Sequence, residues 1–230
     1  MSTSLNQYWS VEHQEQIKQA LETAKEGNLH PFAVFDADNT IWKYDLAESL
    51  LAWMSVSCAI VMAEVEQNLL PVPPRDGETL ISYYDHLCDI DHSLAYLWSA
   101  QIFSGRQLDT LRVEVEKMLA SEEDILAPMP EGRTKVIPVP RIFPAQQELI
   151  SFLQENGIEV WVVSASLEEV VRMVASDPRY GCNIPPERVI GVNLMLEKPD
   201  GSVTVGALER QEGKIGLDYY FSEERMQWTL

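Results

Sequence analysis

Pro31-Phe-Ala-Val-Phe-Asp36-Ala-Asp38-Asn-Thr40 is the stretch on which the fold turns. A short apolar run, Pro31 to Phe35, reads as a buried strand that delivers Asp36 at its C-terminal tip. In an open parallel sheet, ligands gather at the carboxyl ends of the strands. Two carboxylates two residues apart on a turn suit a division of labour. One, held ionised beside a cation, serves as a nucleophile. The other passes a proton to and from a leaving group. Thr40 is placed to hold the loop by hydrogen-bonding back to it. The same residues are also good loop and capping chemistry with no catalysis attached. A calcium loop is excluded. Asp36, Asp38 and Thr40 fit its first three ligand positions, but Ile41 stands where glycine is needed and Ala47 where the bidentate Glu belongs.

Upstream, Val11 to Lys25 has Ile17, Ala20, Leu21 and Ala24 on one helical face, with Gly27-Asn28 as its stop. Downstream, residues 45–131 read as helical throughout. Leu46 to Leu70 is expected to form one long apolar helix closed by Pro71, Pro73 and Pro74. A second helix opens at Asp76-Gly-Glu78 and runs through Ile81, Tyr84, Leu87 and Cys88. Leu94–Phe103 and Gln107–Ala120 make two more, parted by Ser104-Gly105, and no strand pattern interrupts the block. Strand and helix then alternate: a helix over Ala145–Glu155, a strand over Ile158–Val163, a helix over Ser166–Ala175 and a strand over Arg188–Asn193. Asp200-Gly201 reads as a hairpin turn with Ser202 to Val205 as one arm. This order predicts a parallel α/β core with an inserted all-helical cap.

The strand ending at Val163 runs straight into Ser164-Ala-Ser166 and the next helix. A hydroxyl at a strand tip, beside the free amides of a helix N-terminus, suits a phosphate. Ser164 or Ser166 acting only as a helix cap is the other reading.

Composition limits the chemistry. Asp and Glu number 36 against 17 Lys and Arg, a net charge of −19, which repels nucleic-acid backbones and anionic lipid alike. A phosphate substrate would need a locally positive pocket, most simply a divalent cation. The three cysteines, Cys58, Cys88 and Cys182, have neither zinc spacing nor a disulfide framework and are read as reduced thiols of a cytoplasmic protein. The first ten residues show no secretory signal pattern. The most apolar stretch, Ser49 to Ala63, is shorter than the roughly 20 residues of a membrane span. Oligomeric state is not readable.

Together these residues resemble the haloacid dehalogenase superfamily. Asp36, Asp38 and Thr40 match its first motif, and Ser164 matches the hydroxyl of its second. Phe35 to Leu51, Tyr84 to Ser93, Gln101 to Gly105 and Val163 to Ser166 are similar to phosphoserine-phosphatase-like and, more closely, phosphorylcholine-phosphatase-like members. The resemblance implies a Rossmann-like parallel-sheet core from residues 1–45 and 132–230, and a C1-type helical cap from residues 46–131. It implies that Asp36 attacks phosphorus to form an aspartyl-phosphate, and that Asp38 is the general acid and base. It further implies that Mg2+ sits between the Asp36 carboxylate, the Asp38 backbone carbonyl and the phosphate, which Thr40 and Ser164 bind. Lys214 is the candidate for the lysine of the third motif, a solvated surface lysine being the other reading. No counterpart of the fourth, acidic motif is found: Asp218, Glu223 and Glu224 follow no apolar strand, so the core is expected to be C-terminally incomplete. Trp42 and Tyr44, with Glu48 a helical turn on, suit a quaternary ammonium; packing at the root of the cap is the other reading. His86, Asp89, Asp91 and His92 are read as a solvated or capping cluster rather than a metal site. The expected function is hydrolysis of a small phosphorylated metabolite of phosphorylcholine type. The alternative is a truncated or non-catalytic relative that binds a phosphorylated ligand or a protein partner.

Overall fold

The computed structural model describes residues 5, 8–27, 30–197, 203–205 and 225–227. In chain order it has α1 (Val11–Gly27), β1 (Phe32–Phe35), β2 (Trp42–Lys43), α2 (Leu46–Val56), α3 (Leu80–Ile90), α4 (His92–Gln101) and α5 (Leu108–Ala120). There follow β3 (Ile125–Pro128), β4 (Thr134–Ile137), β5 (Arg141–Ile142), α6 (Pro144–Glu155), β6 (Glu159–Leu167), α7 (Glu168–Ala175) and β7 (Val189–Val192). Three short strands, β8 (Met195–Glu197), β9 (Val203–Val205) and β10 (Arg225–Gln227), form a separate antiparallel sheet. The arms of the expected hairpin are thus β8 and β9; its Asp200-Gly201 turn lies outside the described residues.

The site rests on a parallel sheet in the order β1-β6-β7. Phe35, the last residue of β1, pairs with Val162, and β6 runs on past it to Leu167. The inward-facing positions, Phe35 of β1, Val160 and Val162 of β6 and Val189 of β7, join a core cluster that also takes in α2, α3, α4 and α5. Trp98, Tyr83, Leu50 and Leu51 are fully buried within it. Ala33 belongs instead to a smaller cluster where α1 and α6 meet, around Leu21, Phe152 and Ile158.

Several elements depart from the sequence expectation. The helix expected over Leu46–Leu70 stops at Val56. Cys58 takes a left-handed φ of 56° and the N–H of Ile60 turns back to Met54 O, which buries Ile60. Two 3-10 turns, Met62–Glu64 and Gln67–Leu69, carry the chain onward. The helix expected from Asp76 begins at Leu80, since Gly77 has φ 72°, outside the helical region, and Thr79 forms a capping box with Ser82. The block expected to be all-helical ends in a hairpin. β3 and β4 pair antiparallel, with Ile125 and Ala127 buried and Leu126 outward, a period-two pattern too short to stand out beside Pro128 and Pro130. The helix expected from Ser166 begins at Glu168, because β6 continues through Ser164-Ala-Ser166 to Leu167. Finally, β1 is not buried on both faces: Phe32 and Val34 are 61% and 53% exposed.

Candidate active site

Asp36 follows the last residue of β1, and Ser164 lies two residues past the Phe35 partner Val162 on β6. Both therefore sit at the carboxyl end of the sheet. Between β1 and α2 the chain makes a tight loop in which the N–H groups of Thr40, Ile41 and Trp42 all converge on Ala37 O. Ala37 and Ile41 are fully buried and anchor the loop from beneath. Asn39 and Tyr44 take left-handed φ values of 57° and 73°. Asn tolerates that region, and its Oδ1 accepts the Tyr44 N–H at 2.9 Å; for a bulky Tyr it is strained backbone. The loop exposes Asp36, and Thr40 Oγ1 donates to Asp36 Oδ2 at 3.2 Å. No protein donor among the described residues takes Asp36 Oδ1.

Asp38 is held much more firmly. Its Oδ1 accepts the indole N–H of Trp42 at 2.7 Å and the backbone N–H of Leu46 at 2.8 Å. Its Oδ2 accepts the hydroxyl of Ser166 at 2.6 Å. The last bond ties the loop after β1 directly to the end of β6. Ser164 Oγ in turn accepts the Ser166 N–H at 3.1 Å, so neither serine caps α7. Ser166 and the Trp42 indole are the site groups missed in the sequence. Ser166 was legible only as a cap, and Trp42 only as a ring.

The geometry of Ser164 to Ser166 depends on β7. The β6–β7 register shifts between Val163 and Leu167, and Gly191 fits against the resulting irregularity. A Cβ on Gly191 would lie 2.7 Å from both Ser166 O and Glu168 Cα. The Gly191 N–H donates to Glu168 Oε2 at 3.0 Å. Glu168 and Glu169, both buried, pair with the buried Arg172, which also donates to Pro186 O and Val189 O.

An acidic and aromatic wall stands beside the loop. Asp45 caps α2 by accepting the Glu48 N–H at 2.8 Å. Burial, then the charge of Asp38, pushes the Asp45 carboxyl up to about 7. Burial raises the phenols of Tyr84 and Tyr96 as well, with the charge of Asp45 the next cause for each. Lys135, from β4, donates to Glu48 Oε1 at 2.8 Å and to Asp85 Oδ1 at 2.7 Å.

The sequence-predicted residues thus fall into groups. Asp36, Asp38, Thr40 and Ser164 come together. Trp42 adjoins them, but it is 1% exposed and offers an N–H rather than a ring face. Tyr44 has Lys43 Nζ 4.6 Å from its ring centroid, and Glu48 is engaged by Lys135. Lys214, Asp218, Glu223 and Glu224 lie outside the described residues. His86 pairs with Glu78 at 3.0 Å, and Asp91 caps α4 through the Ser93 N–H. Among the described residues no three His, Cys, Asp or Glu side chains are grouped as metal ligands. The fit for Mg2+ therefore rests on Asp36 Oδ1, which no donor among the described residues takes, together with the Asp38 main-chain oxygen. Mg2+ commonly takes one or two carboxylates and completes its shell with water and phosphate, so this donor set suits it.

No family model matches the chain. Over 216 residues, 90% of this chain, it is 40% identical to the phosphorylcholine phosphatase of Pseudomonas aeruginosa, and it spans 61% of that protein's length. The chain is a homologue of that phosphatase. The crystal structure of a conserved protein of unknown function from Anaerococcus prevotii DSM 20548 matches 88% of this chain and 73% of its own, with a TM-score of 0.60 at 18% identity, which bears on the fold alone. A phosphoserine phosphohydrolase-like protein from Francisella tularensis aligns over 76% of this chain and 64% of its own at 16% identity, with a TM-score of 0.41.

Proposed function

We propose that this chain carries the catalytic loop of a phosphatase acting on small phosphomonoesters of phosphorylcholine type, with residues 46–131 as the cap over a core of residues 1–45 and 132–230. The observation that carries it is the convergence of Asp36, Asp38 and Ser164 at adjoining strand ends, joined by the Ser166–Asp38 bond. The 40% identity to a phosphorylcholine phosphatase points the same way.

In this reading an Asp36 oxygen attacks phosphorus as the bond to the ester oxygen breaks, giving an aspartyl-phosphate and a free alcohol. Asp38 protonates the departing oxygen and then takes the proton of the water that cleaves the intermediate. Its Oδ2 accepts one bond, from Ser166, and keeps a lone pair for this purpose. Ser164 and Thr40 bind phosphate oxygens, and Lys214 supplies a further positive charge. The Asp36 carboxylate and Asp38 main chain would hold Mg2+, whose role is to neutralise phosphate charge. The free thiols of Cys58, Cys88 and Cys182 agree with a reducing, cytoplasmic setting. One observation favours a second reading, a binding protein for a phosphorylated ligand: Asp38 accepts three protein hydrogen bonds, from Trp42, Leu46 and Ser166, a load that suits a structural carboxylate as well as a catalytic one.

Hydrolysis of p-nitrophenyl phosphate, with and without Mg2+, separates the two. Turnover that needs Mg2+ and falls by at least about a thousandfold in Asp36→Asn is expected of the enzyme. A folded Asp36→Asn protein with undiminished turnover, or wild type with none, rejects it.

A further inference from the structure

A pocket of about 320 Å³ opens at the far end of α2 from the candidate site, between the loop after α2 and the turn after α4. That size falls in the range of small-molecule pockets, about 300–1,000 Å³. Ile60 and Ile102, both buried, and the partly buried Val65 and Leu69 give it apolar walls. Arg106, half-buried, also lines it and donates through Nη2 to Ala59 O at 2.5 Å. Among the described residues the rest of this guanidinium has no acceptor, and no carboxylate pairs with it. Burial is the one influence on its pKa, which it lowers from the ordinary value. On the same turn the hydroxyl of Ser104 is shielded from solvent and has no partner among the described residues.

A charge drawn partly out of water without a counter-charge is costly, and an anion entering the pocket relieves that cost. The planar guanidinium fork matches a carboxylate. Glu64 and Glu66 stand exposed on the same pocket. Their charge, added to the net −19 of the chain, repels a dianion such as phosphate about twice as strongly as a monoanion. The apolar walls favour a ligand with an aliphatic body. The pocket is also remote from the catalytic loop. Leu46, whose N–H donates to Asp38, opens α2, and Val56 closes it 11 residues on, roughly 16 Å of helix.

We propose that this pocket is a binding site for a small monocarboxylate with a short aliphatic body, its carboxylate held by the Arg106 guanidinium. The site lies apart from Asp36, Asp38 and Ser164 and does not rest on the phosphatase reading.

4-Methylpentanoate and its uncharged amide, 4-methylpentanamide, titrated into the full chain by calorimetry or ligand-observed NMR, test this directly. Wild type should bind the acid at least about tenfold more tightly than the amide, the worth of hydrogen bonds to a charged partner. Arg106→Met keeps an apolar stem and loses the fork, so the preference for the acid should vanish while the amide binds as before. Excess inorganic phosphate, which would occupy the site at Asp36, should leave the acid's affinity in wild type unchanged. Wild type that binds neither compound, or both equally, overturns the proposal. So does a preference for the acid that survives in folded Arg106→Met, or displacement of the acid by phosphate. Melting temperatures confirm that the variant is folded. Should it fail to fold without the bond to Ala59 O, the acid–amide and phosphate comparisons on wild type still decide the question.

Discussion

Asp45 is the residue at which site chemistry and stability meet. Its carboxyl is pushed up to about 7 from 3.8, first by burial and next by Asp38, although the Glu48 N–H favours its charged form. A folded-state pKa above the unfolded one means that the native chain holds a proton the unfolded chain has lost. Stability is then full below about pH 4 and declines as pH rises towards 7. Above that the whole penalty applies, about 4 kcal/mol for a shift of this size. Asn caps a helix as well as Asp does. Asp45→Asn should therefore raise the melting temperature at pH 8 and leave it nearly unchanged at pH 4, both measured in EDTA. Equal effects at the two pH values would remove burial of a charge as the cause. This part of the site was hidden in the sequence. Asp45 was legible only as the opening of a helical block, since the Asp38 and Tyr84 that make its surroundings unusual come from other elements. Asp36, Asp38 and Thr40 were legible because their spacing on one turn is local. Ser166 was not, because its partner is Asp38, 128 residues away.

At the scale of elements, the approach of β7 to the end of β6 decides whether the site holds its shape. Gly191 lets β7 lie against Ser166 and Glu168, and its N–H is fixed by Glu168, itself paired to the buried Arg172. A methyl group at Gly191 meets backbone, which cannot swing aside as a flexible side chain does. Gly191→Ala should cost about 1–3 kcal/mol of stability by overpacking. It should also displace the Ser166 hydroxyl from Asp38, so that its activity at a temperature where it is fully folded falls to the level of Ser166→Ala. A Gly191→Ala protein destabilised but fully active when folded would confine the glycine to packing. The strands and helices on either side were readable to within a few residues, because Val160, Val162 and their neighbours carry their period locally. What escaped was set by contacts across the chain. Ser164-Ala-Ser166 stays extended because β7 pairs beyond it at Leu167, and β3 forms because Ile125 and Ala127 pack inward as β4 arrives to pair. The end of α2 at Val56 follows from the burial of Ile60, which no local stop residue announced.

At the scale of the whole molecule, the parallel sheet carries helices on one face among the described residues. From β1 to β6 to β7 the strands advance in one direction, and right-handed crossovers taken in one direction put α6 and α7 on the same side. The other side presents Phe32, Val34, Val163 and Ile190, which are 61%, 53%, 46% and 47% exposed, with Trp161 partly exposed between them. Parallel sheets are ordinarily covered on both faces, and a contiguous apolar surface of this kind favours association. The net charge of −19 opposes it by mutual repulsion, to a degree that depends on screening. At about 0.1 M salt the Debye length is near 10 Å, and at 1 M it is about 3 Å. Light scattering should therefore show the chain self-associating as salt rises. Val34→Thr combined with Ile190→Thr should suppress both that association and the fluorescence of an apolar dye, since Thr keeps the strand preference while removing apolar area. At exposed positions these changes should alter stability by no more than about 0.5 kcal/mol each. If dye binding and salt-induced association are the same in the double variant and the wild type, the bare sheet face is not what drives them. The stickiness would then have to come from another surface, such as Leu126 and Val136 on the outer side of the hairpin, 62% and 56% exposed.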